Sequence, residues 1–176
     1  EFPMKRLFVP LITAALVSHA TGQESEGRPL FNGKDLTGWT GEGYVVEDGA
    51  IVATPQAKNL ATVDTYANYT LEFDFLLTPG ANNGLGIHYP GTGDGAYTGM
   101  ELQILDDGHP KYKDIKDSQT HGSIYLLSPA KRGFLKPAGE WNHQKVIVNE
   151  SSATVELNGE IILRRNLDDL AARNPK

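Results

Sequence analysis

The sequence predicts one all-β domain that folds as an antiparallel β-sandwich. Short apolar runs alternate with clusters of turn-forming residues from about residue 29 onward. The 176 residues include 19 Gly and 10 Pro, a composition that favours turns over helices. The helical pattern is limited to a possible turn over 167–172. The length leaves room for one domain with a substantial core but not for a second domain.

The start of the chain predicts a secretory signal peptide over residues 1–20. Lys5 and Arg6 precede an apolar run over 7–17, and a small residue, Ala20, suits a peptidase site. The apolar run is shorter than the roughly 20 residues that a membrane-spanning helix needs. We therefore expect an exported protein, periplasmic or secreted, with no membrane partner after cleavage, because no Cys at the cleavage site offers a lipid attachment point.

Three other segments are interpreted as follows. Residues 1–3 precede Met4 and are interpreted as a remnant that is foreign to the natural chain. Residues 21–28 are polar and predict a flexible lead-in, and residues 29–176 form the predicted domain.

Nine segments of the domain are predicted as strands. They are 44–46, 50–53, 69–77, 84–89, 100–105, 123–126, 144–149, 153–157 and 160–164. Asn158-Gly159, between the last two, is typical of a type I′ hairpin, since both central residues of that turn need a positive φ.

Charge and cysteine content exclude several functions. The net charge is −6, and removing residues 1–20 with Glu1, Lys5 and Arg6 (net +1) leaves −7. An acidic surface disfavours a nucleic-acid partner, because binding phosphates requires basic residues. The absence of Cys excludes disulfides, thiolate metal sites and cysteine nucleophiles.

Alternation along four predicted strands gives each a polar face. These faces hold Glu72 and Asp74, Gly86 and His88, Glu101 and Gln103, and His121, Ser123 and Tyr125. Such a face suits a sugar, whose hydroxyls need donors and acceptors, while Trp39, Trp141, Tyr89 and Tyr125 are candidates to pack on its ring. A merely solvated sheet face needs the same polar residues, and the pattern alone favours neither interpretation.

Three local features carry weaker signals. Asp106 lies in the sequence Asp-Asp-Gly, which is more typical of an ordinary tight turn than of a ligand site. His88, His121 and Glu101 could together bind a divalent metal, but their spacing matches no compact metal motif. His143 is interpreted as a surface or strand-edge histidine.

Six segments in order resemble the 3-keto-disaccharide hydrolase domain family, formerly a domain of unknown function in the concanavalin A-like lectin/glucanase superfamily. They are Leu30-Phe31-Asn32-Gly33-Lys34-Asp35-Leu36-Thr37-Gly38-Trp39, Asn82-Asn83-Gly84-Leu85-Gly86-Ile87, Gly99-Met100-Glu101-Leu102-Gln103-Ile104-Leu105-Asp106, Gly122-Ser123-Ile124-Tyr125, Gly139-Glu140-Trp141-Asn142 and Leu157-Asn158-Gly159. The resemblance covers residues 30 to about 169 and implies a jelly-roll sandwich.

The sequence departs from the family pattern at two places. His88 stands where many relatives carry an arginine. The chain also ends before the closing glycine-rich strands that relatives usually have, so we expect a sandwich truncated at its C-terminus, and an open sheet edge is prone to aggregation unless it is covered.

The resemblance implies cleavage of glycosides that are already oxidised at C3. A C3 ketone acidifies the C2 hydrogen, so a base can remove it, the enolate can expel the C1 substituent, and water can add afterwards. Glu101 and His121 are the candidate catalytic bases, and His88, Gln103 and a divalent cation are candidates to polarise the ketone. The predicted substrate-binding residues are Asn83, His88, Gln103, Asp106, Tyr125 and Trp141. A separate sugar oxidoreductase would then supply the substrate.

Two other functions remain open from the sequence. A carbohydrate-binding module without catalysis can have the same fold, because fold does not fix function. A conventional retaining glucanase is disfavoured, since it commonly uses a Glu-x-Asp-x-x-Glu strand in this fold, and here Leu77 stands in place of the second Glu after Glu72 and Asp74.

Overall fold

The structure is a computed structural model that describes residues 7–10, 27–89 and 95–171. Most of the predicted signal peptide and of the lead-in therefore lies outside the described residues. In chain order the strands are β1 Leu7–Pro10, β2 Trp39–Gly41, β3 Tyr44–Glu47, β4 Ala50–Ala53, β5 Leu60–Thr62, β6 Tyr69–Leu76, β7 Asn82–Gly86, β8 Glu101–Leu105, β9 Trp141–Asn149, β10 Ser152–Leu157 and β11 Glu160–Asn166. The helices are α1 Gly95–Thr98 and α2 Leu167–Ala171, with 3-10 turns at Pro110–Tyr112 and Asp117–Gln119. Within these ranges, none of the helices has the length and apolar character that spanning a bilayer requires.

Two sheets form the sandwich. The large sheet has the strand order β11-β10-β9-β6-β1-β4-β3, and the small sheet pairs β7 with β8. A separate two-stranded ribbon joins β2 to β5. Each pairing among the described strands is antiparallel. The predicted antiparallel β-sandwich is confirmed.

The hydrophobic core lies between the two sheets. Alternate residues of the β6 segment, Phe73, Phe75 and Leu77, are at most 5% exposed and share one cluster with Leu102 and Ile124 of the small-sheet side, which are fully buried. This agrees with the alternation read from the sequence. Because the inner faces of both sheets meet in this cluster, their outer faces lie on opposite sides of the domain.

The turn predictions at the C-terminal end are confirmed. Asn158 and Gly159 have φ values of 51° and 91° and connect β10 to β11. Both positive φ values fit a type I′ hairpin. The predicted helical turn is α2, whose described residues are Leu167–Ala171.

The predicted strand over 123–126 is wrong. Ile124 alone makes isolated bridges there, to Leu102 and to Ser128. The segment is bracketed by Gly122 at φ 75° and Leu126 at φ 61°. Two left-handed residues so close together bend the backbone out of the extended conformation, although the polar–apolar alternation resembles that of a strand.

Other strand boundaries differ from those predicted in smaller ways. The segment predicted over 84–89 begins earlier, as β7 Asn82–Gly86, because it pairs along the whole of β8 Glu101–Leu105. The sequence also does not predict β2 and β5, which have three residues each and whose apolar content is too low for a periodic signal.

Strand β1 falls inside the predicted signal peptide. It pairs with β4 along its whole length and with β6 through Phe8 opposite Leu76. It thus occupies an interior position of the large sheet. If residues 1–20 are cleaved, β4 and β6 each lose a neighbour at this position, and their freed backbone groups need another strand or solvent.

The first segment of the family resemblance is a loop held by its own side chains. The Asp35 carboxylate accepts hydrogen bonds from the backbone N–H of Thr37 at 2.9 Å and from Asn32 Nδ2 at 2.8 Å. The pKa of Asp35 is lowered to about 2, chiefly by a hydrogen bond with the Thr37 side chain, then by those from Asn32 and the Thr37 backbone. The indole N–H of Trp39 donates to the carbonyl of Leu30 at 2.9 Å. These contacts hold the loop in its conformation, so a structural role accounts for its polar residues.

Candidate functional site

A row of three residues, Gly86, Glu101 and Tyr125, lies across the outer face of the small sheet. The β7–β8 register places Gly86 opposite Glu101. On the other side of β8, the backbone N–H of Tyr125 donates to the Glu101 carbonyl at 2.8 Å. Leu102 pairs with Ile124, and both are fully buried in the core. Glu101 and Tyr125 therefore face outward, because successive side chains alternate between the faces of a sheet.

Two glycines of β7 lie beneath and beside the Glu101 side chain. Gly84 is one row away from Glu101, and a methyl group added to Gly84 would overlap the Glu101 carboxylate. At Gly86 a Cβ would meet Tyr89 at 3.1 Å. The half-buried Glu101 side chain thus lies flat along the surface of β7, in space that any larger residue at position 84 would occupy.

Tyr125 places a phenol in the same row. Its oxygen accepts a hydrogen bond from Gln119 Nε2 at 3.2 Å. This contact positions the ring and leaves the hydroxyl hydrogen of Tyr125 able to donate to a ligand. The row therefore combines a carboxylate, which can accept a proton, with a phenol, which can donate one.

Gln103 lies one row further along the same outer face but is covered. It is 5% exposed, and its Nε2 donates to Asn82 Oδ1 at 3.2 Å. Its neighbour across the sheet, Ser123, is fully buried and donates to the carbonyl of Asp117 at 3.1 Å. The 3-10 turn at Asp117–Gln119 thus covers this second row, and Gln103 has a supporting role beside the Glu101 row.

Asp106 and Asn83, two other predicted binding residues, have structural partners. Asp106 is 9% exposed, and its carboxylate accepts the backbone N–H of Gly80 at 2.7 Å. This contact fits the tight turn that the sequence favours here. Asn83 lies on the inner face of β7 opposite Ile104, and its Oδ1 accepts the backbone N–H of Gly84 at 2.7 Å. Neither side chain lies on the Glu101 row.

His121, the second candidate base, lies inside the sandwich. It is 4% exposed and stacks on Phe75 with ring centroids 5.3 Å apart. Its Nδ1 accepts the backbone N–H of Leu105 at 3.3 Å, so the ring proton is on Nε2 and donates to Gln144 Oε1 at 3.0 Å. Burial lowers the pKa of His121 to about 4, against a smaller raising effect of Gln144. A neutral, enclosed imidazole of this kind supports the fold and does not reach a substrate on the outer face.

The last two predicted residues lie on different surfaces. His88 is exposed and follows β7 at the Glu101 end of the small sheet, where its carbonyl accepts the backbone N–H of Met100 at 3.3 Å. Trp141 is 44% exposed on the outer face of the large sheet. Glu101, His88 and Tyr125 thus share one region, whereas Trp141 lies on the opposite side of the domain.

The described residues do not assemble a metal site. Across residues 7–10, 27–89 and 95–171, three or more His, Asp or Glu side chains nowhere gather in a way that could hold an ion. His121 is enclosed in the core, so it does not join Glu101 and His88 as a ligand set. The hypothesis of a site formed by these three residues is not supported by their placement.

Sequence reasoning did not predict that Asp74, His143 and Trp141 lie together. Asp74 of β6 and His143 of β9 are cross-strand partners, and His143 Nδ1 lies 2.9 Å from Asp74 Oδ1. They line a cleft of about 390 Å³ together with Trp141 and Lys136. The alternation in β6 already puts Asp74 on an outer face, but the pairing of β6 with β9 spans 69 residues of sequence and has no local signal.

Gly84→Ala is expected to disturb the site while leaving the fold intact. The new methyl group would overlap the end of the flexible Glu101 side chain, which can swing away. On the expectation that Glu101 is the base of a glycoside-cleaving reaction, activity should fall by roughly 10- to 100-fold, with little change in melting temperature. Gly108→Ala is the matched control, since a Cβ there meets only Asp106 Oδ1 at 3.9 Å. Equal activity of both variants in a glycoside-cleavage assay would show that the Glu101 position is unimportant.

Comparison with protein families identifies relatives of this chain. The sequence profile described as the 3-keto-alpha-glucoside-1,2-lyase-like domain matches residues 26–176. The 3-keto-disaccharide hydrolase of Bacteroides thetaiotaomicron is 28% identical over 169 residues, covering 78% of this chain and 58% of the relative. The chain therefore spans little more than half the length of this curated relative.

Solved structures support the same relationship. The crystal structure of a "putative glycosyl hydrolase" from Parabacteroides distasonis is 30% identical with a TM-score of 0.73, covering 82% of this chain and 75% of that one. A second protein of the same description and organism is 26% identical with a TM-score of 0.62, covering 75% and 64%. The described fold is thus that of known glycosyl hydrolase-like proteins.

Proposed function

The chain belongs to the family of 3-keto-α-glucoside-1,2-lyase-like domains, and on this premise we propose that it cleaves 3-keto-glycosides by elimination followed by hydration. The single observation that carries the proposal is the Glu101–Tyr125 row on the outer face of the small sheet. The reaction needs a base and a donor that stabilises an enolate. The described residues offer both groups, each half-buried, on adjacent segments of one outer face.

Glu101 is the proposed base. A carboxylate that lies along a glycine-lined strand can approach the C2 hydrogen of a sugar placed on the same surface. Removal of this hydrogen is feasible because the C3 ketone delocalises the resulting negative charge. General bases of this kind contribute about 10²- to 10⁴-fold to rate. His121 is a weaker candidate, since its basic nitrogen, Nδ1, already accepts the backbone N–H of Leu105 inside the core.

Tyr125 is the proposed enolate stabiliser. As charge moves from C2 to the C3 oxygen, the phenol can donate a hydrogen bond to that oxygen, while Gln119 holds the phenol in place. His88 is exposed at the same end of the sheet and is a second possible donor. Gln103, whose amide donates to Asn82, supports the strand that carries Glu101.

The atoms balance over two steps. In the first step the C2–H bond breaks, a C1–C2 double bond forms, and the C1–O bond to the aglycone breaks. The proton taken by Glu101 can be returned to the departing alkoxide. In the second step water adds its hydroxyl to C1 and a proton to C2, which restores the 3-keto sugar. An oxidoreductase acting on C3 of the glycoside must supply the substrate.

The first test compares a 3-keto-glucoside with its unoxidised parent. We expect cleavage of the keto form alone, since the unoxidised C2 hydrogen is too weakly acidic for a carboxylate base. Mass spectrometry of the products, run in H₂¹⁸O and in D₂O, would show ¹⁸O at C1 and deuterium at C2. Cleavage of both forms would contradict the elimination route. Binding without cleavage of either form, by a folded sample, would instead support a carbohydrate-binding module.

A further inference from the structure

From the opposite outer face of the domain, we infer a second sugar site that takes a neutral pyranoside. It is the cleft between the β3–β4 hairpin and strand β9, called here the Trp141 cleft. Its volume is about 390 Å³, and its lining includes Asp48, Asp74, Lys136, Trp141 and His143. Ligand sites typically span about 300–1,000 Å³, so the cleft matches one small sugar unit. This inference does not depend on the Glu101 chemistry.

Local contacts hold each wall of the cleft, and β1, which lies between β4 and β6 in the full chain, holds the two walls side by side. Asp48 and Gly49 have φ values of 51° and 76°, which fit a tight two-residue hairpin between β3 and β4. On the opposite wall, both the backbone and the side chain of Lys136 are hydrogen-bonded. Its backbone N–H donates to Asn142 Oδ1 at 2.9 Å, and its Nζ donates to the Trp141 carbonyl at 2.9 Å. A preformed wall lowers the entropic cost of binding a small ligand.

The chemistry of the lining suits a polyol. Trp141 is 44% exposed, so its ring offers a flat apolar surface for the C–H face of a pyranose. The Asp74–His143 pair, 2.9 Å apart, offers an oriented carboxylate and an imidazole whose Nε2 is not used in that contact. Hydroxyl groups need such donors and acceptors together, and a ring with several hydroxyls can use both.

The charge of the lining decides between ligand classes. The lining contains two carboxylates, Asp48 and Asp74, and one lysine, Lys136. A phosphorylated or carboxylated ligand would face this excess of carboxylates and is disfavoured. A neutral sugar bears no such penalty. The inner faces of the two sheets form the core, so this cleft is remote from the Glu101 row and would hold a different part of a glycan or a different molecule.

Two tryptophans make the site directly testable. The chain contains Trp39 and Trp141, and the Trp39 indole N–H is bonded to Leu30, which makes it an internal reference. In a ¹H–¹⁵N NMR titration with methyl β-D-glucopyranoside, we expect a saturable shift of the Trp141 indole signal and none of Trp39. Trp141→Phe assigns the two signals.

Substitutions then distinguish specific sugar binding from nonspecific binding to an exposed surface. We expect Asp74→Asn to weaken binding about tenfold, the effect of one charge-assisted hydrogen bond. Glu156→Gln, on the same outer face but outside the cleft, should leave it unchanged. Glu101→Gln should also leave it unchanged, since the two sites are separate. The absence of a saturable Trp141 shift, or equal binding of cyclohexanol, would overturn the inference.

Discussion

Glu101→Gln is expected to lower kcat for a 3-keto-glucoside by about 10²- to 10⁴-fold. The amide keeps the shape of the side chain over Gly84 but cannot accept the C2 proton. Because ground-state contacts are largely preserved, KM should change much less than kcat. Steady-state kinetics on the purified domain would measure both constants.

The matched control for this substitution is Glu156→Gln. Glu156 lies on β10 between the buried residues Val155 and Leu157, so it faces outward on the large sheet. The chemical change is the same, but it occurs on the opposite side of the domain from Glu101. Full activity of the Glu101 variant would assign the base to another residue. Equal loss in both variants would indicate a general effect of charge or stability.

Tyr125→Phe separates the two roles that the proposal gives to the row. Removing the phenol leaves Glu101 in place but deprives the enolate oxygen of a donor, so we expect kcat to fall about 10²-fold. Exchange of the C2 hydrogen with D₂O should slow by a similar factor, because the same enolate is formed. An unchanged exchange rate would exclude Tyr125 as the enolate stabiliser.

The sequence predicts those parts of the fold that depend on local patterns. Alternation in the β6 segment correctly separates the buried Phe73 and Phe75 from Glu72 and Asp74. Asn158-Gly159 correctly predicts a hairpin, because positive φ at two successive positions is a local requirement. The six segments in order correctly indicate the family, because each is a local feature of one loop or strand.

The arrangement of the predicted site residues depends on pairing and layer order, which local patterns do not contain. Glu101 and Trp141 each face outward on their own strand, yet the strands belong to different sheets. His121 belongs to a segment that alternates like a strand, but Gly122 at φ 75° interrupts it and His121 enters the core. The polar residues predicted to share a site therefore lie on two separate surfaces, around Glu101 and around Trp141, while His121 is buried with Gln144.

The buried His121–Gln144 pair predicts a loss of stability in mild acid. The pKa of His121 is about 4 in the folded protein, chiefly because of burial, and 6.5 is its ordinary value in an unfolded chain. Between these values the unfolded chain binds a proton that the folded protein does not. The free energy of unfolding should therefore fall as the pH drops from about 6.5 to 4, by roughly 3 kcal/mol from this residue, and level off below.

Two measurements isolate this contribution from that of other groups. Urea unfolding of wild type and His121→Gln at several pH values should give curves whose difference changes between pH 6.5 and 4. Parallel curves for wild type and His121→Gln would contradict the prediction. If the variant does not fold, an NMR titration of the wild-type imidazole decides, and a His121 pKa near 6.5 would show that the ring is open to water. The same result would make His121 a candidate base again. The pKa of His121 therefore tests both the predicted acid sensitivity of the fold and the assignment of Glu101 as the base.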